Sequence, residues 1–227
     1  MLTANNLTKI YPNNKGITKI SINIDSSEIL ALIGPNGSGK STTLKIIAGV
    51  MKSQEGNVLV NNLSTTSRES KRYIGYLPED LFFYEKMSVY EFLDFVACVK
   101  FKSNLSSDIE SLLASYDLWE HRHQLLKNLS MGMKKKIGII SAFLGNPNLI
   151  ILDEPTNGID TKGIITLKKQ INDSKSKGAI IIISSHILDF VSSICSRFIF
   201  LKHGQIAKDI SSASNLNLEA LYSELYL

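Results

Sequence analysis

Between Gly34 and Thr42 the chain reads Gly-Pro-Asn-Gly-Ser-Gly-Lys-Ser-Thr, a run that places glycines, one amine and several hydroxyls within a few residues of each other. The pattern is GxxxxGK[ST], and its setting is the one that chemistry needs. An apolar stretch from Glu28 to Ile33 leads in, and Leu44, Ile47 and Ala48 follow at helical spacing. Glycines let the backbone fold into a cup, so that the N–H groups of Asn36, Gly37, Ser38 and Gly39, backed by a helix N-terminus, point at phosphate oxygens. Lys40 adds a point charge for β- and γ-phosphates, and the Ser41 hydroxyl, with Thr42 beside it, is placed to meet Mg²⁺. A second group of reactive side chains lies at Asp153-Glu154, after the aliphatic run Leu149-Ile150-Ile151-Leu152. An acid delivered at the carboxyl edge of an apolar strand is expected beside the phosphate loop, where Asp153 holds Mg²⁺ through water. Glu154, one residue on, is then free to polarise an attacking water.

These groups need a scaffold. Short β-branched runs recur at Ile20–Ile24, Ile29–Ile33, Leu149–Leu152, Ile180–Ile183 and Phe198–Leu201. Three of them feed loops that open helices, which is the βα rhythm of a mainly parallel sheet. The nearly continuous apolar runs at 149 and 180 are expected at the sheet centre, covered on both faces. His203-Gly204 reads as a hairpin turn and predicts an antiparallel β region. Between Leu81 and Gly145 no strand appears. Val89, Phe92, Leu93, Val96 and Ala97 share one helical face, and a second helix starts near Ser130 with Ile137, Ile140 and Leu144 aligned. The expected fold is therefore α/β: a P-loop NTPase core with a mainly parallel sheet, made of residues 1–80 and 146–227, and an inserted helical lobe at 81–145.

The whole composition agrees. Of 227 residues, 44% are hydrophobic and 20% charged, which excludes fibrous and unfolded chains. The net charge of +4 is spread thinly, so no direct nucleic-acid partner is expected. No apolar stretch approaches the ~20 residues of a spanning helix. Met1–Asn14 lacks the apolar core of a secretory signal, which points to the cytosol. Cys98 and Cys195 belong to no CxxC pair and are expected as buried small apolar groups. His121, His123 and His203 have no acidic or cysteine partner at ligand spacing. Lys134, Lys135 and Lys136 read as the solvated start of a helix.

In order and spacing these motifs resemble the nucleotide-binding subunits of ABC transporters over essentially the whole chain. Asp153-Glu154-Pro155-Thr156 resembles the Walker B strand end with its catalytic glutamate, and Asn157-Gly158-Ile159-Asp160 the D-loop. Leu129-Ser130-Met131-Gly132-Met133 stands in the place of the signature sequence, His186 matches the switch histidine, and Tyr11 matches the aromatic residue that stacks on adenine. The resemblance implies an ATPase using ATP and Mg²⁺, in which Ser130 and Gly132 reach the γ-phosphate held by an opposite subunit. It further implies a dimer with a second copy or a homologous ATPase subunit, a separate transmembrane permease, and a peripheral position on the cytoplasmic face of a bacterial cell membrane. The groove near Glu79 and Leu81–Tyr84 is the docking surface that family analogy implies.

Two departures stand out. Met131 and Met133 replace the usual Gly and Gln of the signature, and Met131 gives up the easy access to φ > 0 that a glycine has. Ile74-Gly75-Tyr76-Leu77-Pro78-Glu79 resembles the Q-loop segment but ends in glutamate. Glu79 can still reach Mg²⁺ or the attacking water, though it brings negative charge toward a triphosphate. Both departures resemble the bacterial export branch that includes antibiotic-efflux and lantibiotic self-immunity ATPases. The alternative is a non-transport ABC ATPase acting in DNA maintenance or on the ribosome. Coiled-coil insertions, a second ATPase half or a basic patch would mark it, and this sequence has none of them.

Overall fold

The computed structural model describes residues 1–211 and 217–227. Its centre is a six-stranded sheet in the order β10-β9-β3-β8-β7-β6. β3 (Ile29–Ile33), β6 (Ile74–Leu77), β7 (Leu149–Asp153), β8 (Ile180–Ser184) and β9 (Arg197–Lys202) run parallel, and β10 (Gln205–Ser211) closes one edge antiparallel to β9. The turn into β10 is His203 and Gly204 with φ of 50° and 76°, the pair of positive angles that a tight hairpin requires.

Strand alternation explains why the central runs are apolar throughout. In β3, Ile29, Ala31 and Ile33 enter the core shared with the helices, while Leu30 and Leu32 enter a second core on the other face. β7 and β8 divide the same way: Ile150, Leu152, Ile181 and Ile183 face one core, Leu149, Ile151, Ile180 and Ile182 the other. Each strand is covered on both sides and has no solvent face to mark with polar residues.

The second core is roofed by a four-stranded antiparallel sheet, order β2-β1-β4-β5, with α1 (Lys40–Ile47) contributing Leu44, Ile46 and Ile47. Its strands are β1 (Leu2–Ile10), β2 (Gly16–Ile24), β4 (Glu55–Val60) and β5 (Leu63–Ser64). This corrects the expectation for Ile20–Ile24, which belongs here and not to the βα rhythm. The burial of β2 alternates, with Ile20, Ile22 and Ile24 inside and Ser21 and Asn23 outside, as a sheet with one wet face demands.

Residues 81–145 hold α2 (Val89–Phe101), α3 (Ser106–Ser115) and α4 (Met131–Phe143). α4 lies against β6 and β7. α5 (Thr161–Ser176) and α6 (Leu188–Ser192) follow β7 and β8, and α7 (Leu218–Tyr226) packs Tyr226 against Phe200. Among the described residues no helix is long and apolar enough to cross a membrane. Cys195 is buried, but it lies in the turn after α6, and Cys98 is exposed on α2. The expectation for Cys98 failed because α2 turns only Val89, Leu93 and Ala97 fully inward.

Candidate nucleotide site

Parallel strands put their carboxyl ends at one edge of a sheet, and the order β3-β8-β7-β6 brings four such ends side by side. β3 delivers Gly34 to Lys40, β8 delivers Ser184 to His186, β7 delivers Asp153 and Glu154, and β6 delivers Glu79 through Leu77-Pro78. A cavity of about 500 Å³ opens there, lined by Tyr11, Asn36, Gly37, Gly39, Lys40, Ser41, Thr42, Glu79, Asp153 and Glu154. Ligand crevices in open α/β sheets occupy this position.

The loop itself is tightly determined. Gly39 sits at φ 108°, and a Cβ there would stand 2.6 Å from Ile17 Cγ2, so only glycine permits both the angle and the contact. Lys40 Nζ donates to the carbonyls of Gly34 at 2.7 Å and Pro35 at 3.2 Å, which arches the ammonium over its own loop. Burial pulls its pKa down, while the carboxylates of Glu154, Asp153 and Glu79 pull it back up. The hydroxyl of Tyr11 lies 3.4 Å from Thr42 Oγ1 and donates to the Met51 sulfur, fixing the ring at the cavity wall. Ser38 is buried behind the loop and does not line the cavity.

Asp153 is wholly buried. Its Oδ1 accepts from the Ser184 hydroxyl, and its Oδ2 has no hydrogen-bond partner among the described residues. A buried carboxylate oxygen left bare is costly unless a cation answers it, so the acid and the neighbouring Ser41 hydroxyl fit a hard divalent metal. Glu154 holds φ at 48°, a left-handed angle costly for a residue with a side chain. Its N–H is pinned by Ser184 through the hydroxyl (3.0 Å) and the carbonyl (3.2 Å). Its carboxylate Oε2 is 2.9 Å from His186 Nδ1.

Ser130, Gly132 and Asp160 do not line this cavity. Ser130 caps α4, accepting from the Met133 N–H at 3.2 Å. Met131 is the first helical residue and is absent from the positive-φ positions, so the loss of glycine's freedom costs nothing in this conformation. Gly132 is constrained differently: a Cβ would meet the carbonyl of Gly158 at 2.8 Å. Asp160 caps α5 and pairs with Lys136 at 3.0 Å. Lys135 departs from expectation. It is 6% exposed, because α4 turns it into a groove of about 710 Å³ that Glu79 and Leu81 also line. Burial lowers its pKa, opposed by Asp153, Glu79, Glu154 and Asp80. Two features escaped sequence reasoning. The Asn13–Gly16 turn lines the cavity, signalled only by its turn residues. Ser184 carried a sharper signal, a hydroxyl ending four consecutive isoleucines.

A phosphate loop, a buried acid and a strained glutamate meeting at the carboxyl edge of one parallel sheet make this a P-loop nucleoside triphosphatase. A family model described as ABC transporter matches residues 17–157. The lantibiotic transport ATP-binding protein SrtF of Streptococcus pyogenes is 35% identical over 227 residues, 100% of this chain and 98% of that protein. The lipopolysaccharide export system ATP-binding protein LptB of Haemophilus influenzae is 30% identical over 215 residues, 91% of this chain and 88% of its own. A solved ATP binding subunit of an ABC transporter matches at TM-score 0.91 and 31% identity, covering 99% of each chain. A dimeric ATP-binding cassette in a post-hydrolysis state with ADP and Pi shares the fold, at TM-score 0.85 and 23% identity over 95% of this chain and 100% of that one. The chain belongs to the ABC transporter family and is an ATP-binding ATPase subunit of it.

Proposed function

We propose that two copies of this subunit, or one copy and a homologous partner, close around ATP and so drive a separate membrane permease in the export direction. The observation that carries this is the division of the site. Lys40, Asp153 and Glu154 converge on one cavity, whereas Ser130 and Gly132 stand outside it on the start of α4. A γ-phosphate gripped from both sides therefore needs the signature of a second molecule. End-to-end similarity to a lantibiotic transport protein and to a lipopolysaccharide export protein supports export. It also supports a peripheral position on the cytoplasmic face of a bacterial membrane, held there by the permease.

Within the site, Tyr11 stacks the adenine and the N–H groups of Asn36 to Ser41 receive the phosphates. Lys40 exchanges its two loop carbonyls for β- and γ-phosphate oxygens. Mg²⁺, held by Ser41 and Asp153 with Glu79 nearby, supplies charge neutralisation at the phosphates when bound. Glu154 accepts a proton from water as the water oxygen attacks the γ-phosphorus. The bond to the bridging oxygen breaks, and ADP and phosphate leave. His186 holds the Glu154 carboxylate through the 2.9 Å contact, and Asp160, beside the signature of its own chain, faces the joint between copies.

The test is sedimentation of Glu154→Gln with saturating Mg²⁺ and ATP. It is expected to bind nucleotide normally, lose turnover at least a hundredfold and run as a dimer, while Lys40→Ala loses nucleotide affinity. A Glu154→Gln protein that stays monomeric, alone and with its permease, ends the two-copy reading. Near wild-type turnover removes Glu154 as the base.

A further inference from the structure

β8 lies between β3 and β7, so the strand carrying Glu154 does not touch the strand carrying the phosphate loop. Ile180 to Ile183 are all isoleucine and all buried, and Ser184 interrupts them at zero exposure. A hydroxyl placed there costs free energy unless it is fully bonded.

It is bonded in both senses. Ser184 is the register partner of Asp153 across the β7–β8 pair. Its oxygen accepts the Glu154 N–H at 3.0 Å, and its one proton goes to Asp153 Oδ1 at 2.5 Å. Because a serine has a single proton to give, the N–H of Glu154 pointing at the oxygen forces that proton onto Asp153. With Oδ1 occupied, Oδ2 is the carboxylate oxygen left without a partner among the described residues. The Ser184 hydroxyl oxygen also anchors the backbone that holds Glu154 at φ 48°.

We propose that Ser184 is a positioning residue for hydrolysis, one hydroxyl that sets the metal-facing oxygen of Asp153 and the backbone of the water-polarising Glu154 together. The proposal rests on the assignment of those two acids given above. Partners that orient metal-binding carboxylates characteristically change metal affinity or activity by tenfold or more when removed. The hydroxyl is wholly buried and both of its bonds go to Asp153 and Glu154, so its effect is indirect.

Three variants decide it: wild type, Ser184→Ala and Ser184→Thr, each measured for melting temperature, for binding of a fluorescent ATP analogue with and without Mg²⁺, and for ATP turnover. Ser184→Ala is expected to bind the analogue as wild type does without Mg²⁺. Its gain in affinity on adding Mg²⁺ should shrink about tenfold. Its kcat should fall about 10- to 100-fold with KM for ATP nearly unchanged. Ser184→Thr, which keeps the hydroxyl, should recover both. A folded Ser184→Ala with the wild-type Mg²⁺ gain and kcat overturns the proposal, as does a folded Ser184→Thr that recovers neither. Loss of binding without Mg²⁺ would show a structural role instead and overturn it equally. If wild type itself gains nothing from Mg²⁺, or Glu154→Gln turns over normally, the assignment of the acids fails and not the linkage through Ser184.

Discussion

Lys100 on α2 donates to the carbonyl of Ile74 at 2.9 Å, with its ammonium 5.2 Å from the Phe101 ring centre. Burial pushes its pKa down from the ordinary 10.5 to about 8. The unfolded chain therefore holds this proton more tightly than the folded one. The cost of keeping Lys100 charged is complete below the folded value and disappears as pH rises from about 8 toward 10.5. Across that window wild type should gain on Lys100→Met by about 3 kcal/mol at most, read from urea unfolding of both proteins. A constant difference between the two curves would contradict this. Single side chains were also where the sequence was hardest to read. Lys40, Asp153 and Glu154 declare themselves because motif and strand end fix their surroundings. Lys135 and Cys98 do not: their burial depends on which way a helix is rolled against its neighbours, and neither residue type states that.

α2 begins at Ser88, whose hydroxyl accepts the Glu91 N–H at 3.3 Å while the Glu91 carboxylate accepts the Ser88 N–H at 2.8 Å. Removing the cap with Ser88→Ala should lower unfolding stability by about 1 kcal/mol, measured by denaturant titration, and leave ATP affinity unchanged. A variant that also loses nucleotide binding would mean that α2 sets the cavity as well as the lobe. Elements differ in legibility for a plain reason. β3, β7 and β8 are buried on both faces and carry unbroken apolar runs, so both their existence and their central place can be read. β2 is just as β-branched, but membership of a sheet is a matter of long-range pairing. Its antiparallel register with β1, Leu2 opposite Ile24, leaves only a faint alternation in Ile20-Ser21-Ile22-Asn23-Ile24. The position of β8 between β3 and β7 is equally silent in the sequence, and Ser184 was missed with it.

For the molecule as a whole, the groove beside α4 is the docking face that family analogy implies. Phe82 is 92% exposed there and touches little of its own chain, whereas Phe83 packs edge-on to Phe92 at 5.1 Å. Phe82→Ser is therefore the clean variant. It should keep melting temperature and basal ATPase while losing co-purification with the permease, since a covered phenylalanine contributes about 1.5–3 kcal/mol. Undiminished co-purification would place the docking surface elsewhere. Glu79 lines this groove and also the cavity that holds Lys40 and Asp153. The two hollows have this carboxylate in common, so a guest seated in either meets the same side chain. Docking and fuel consumption then need no distant lever between them.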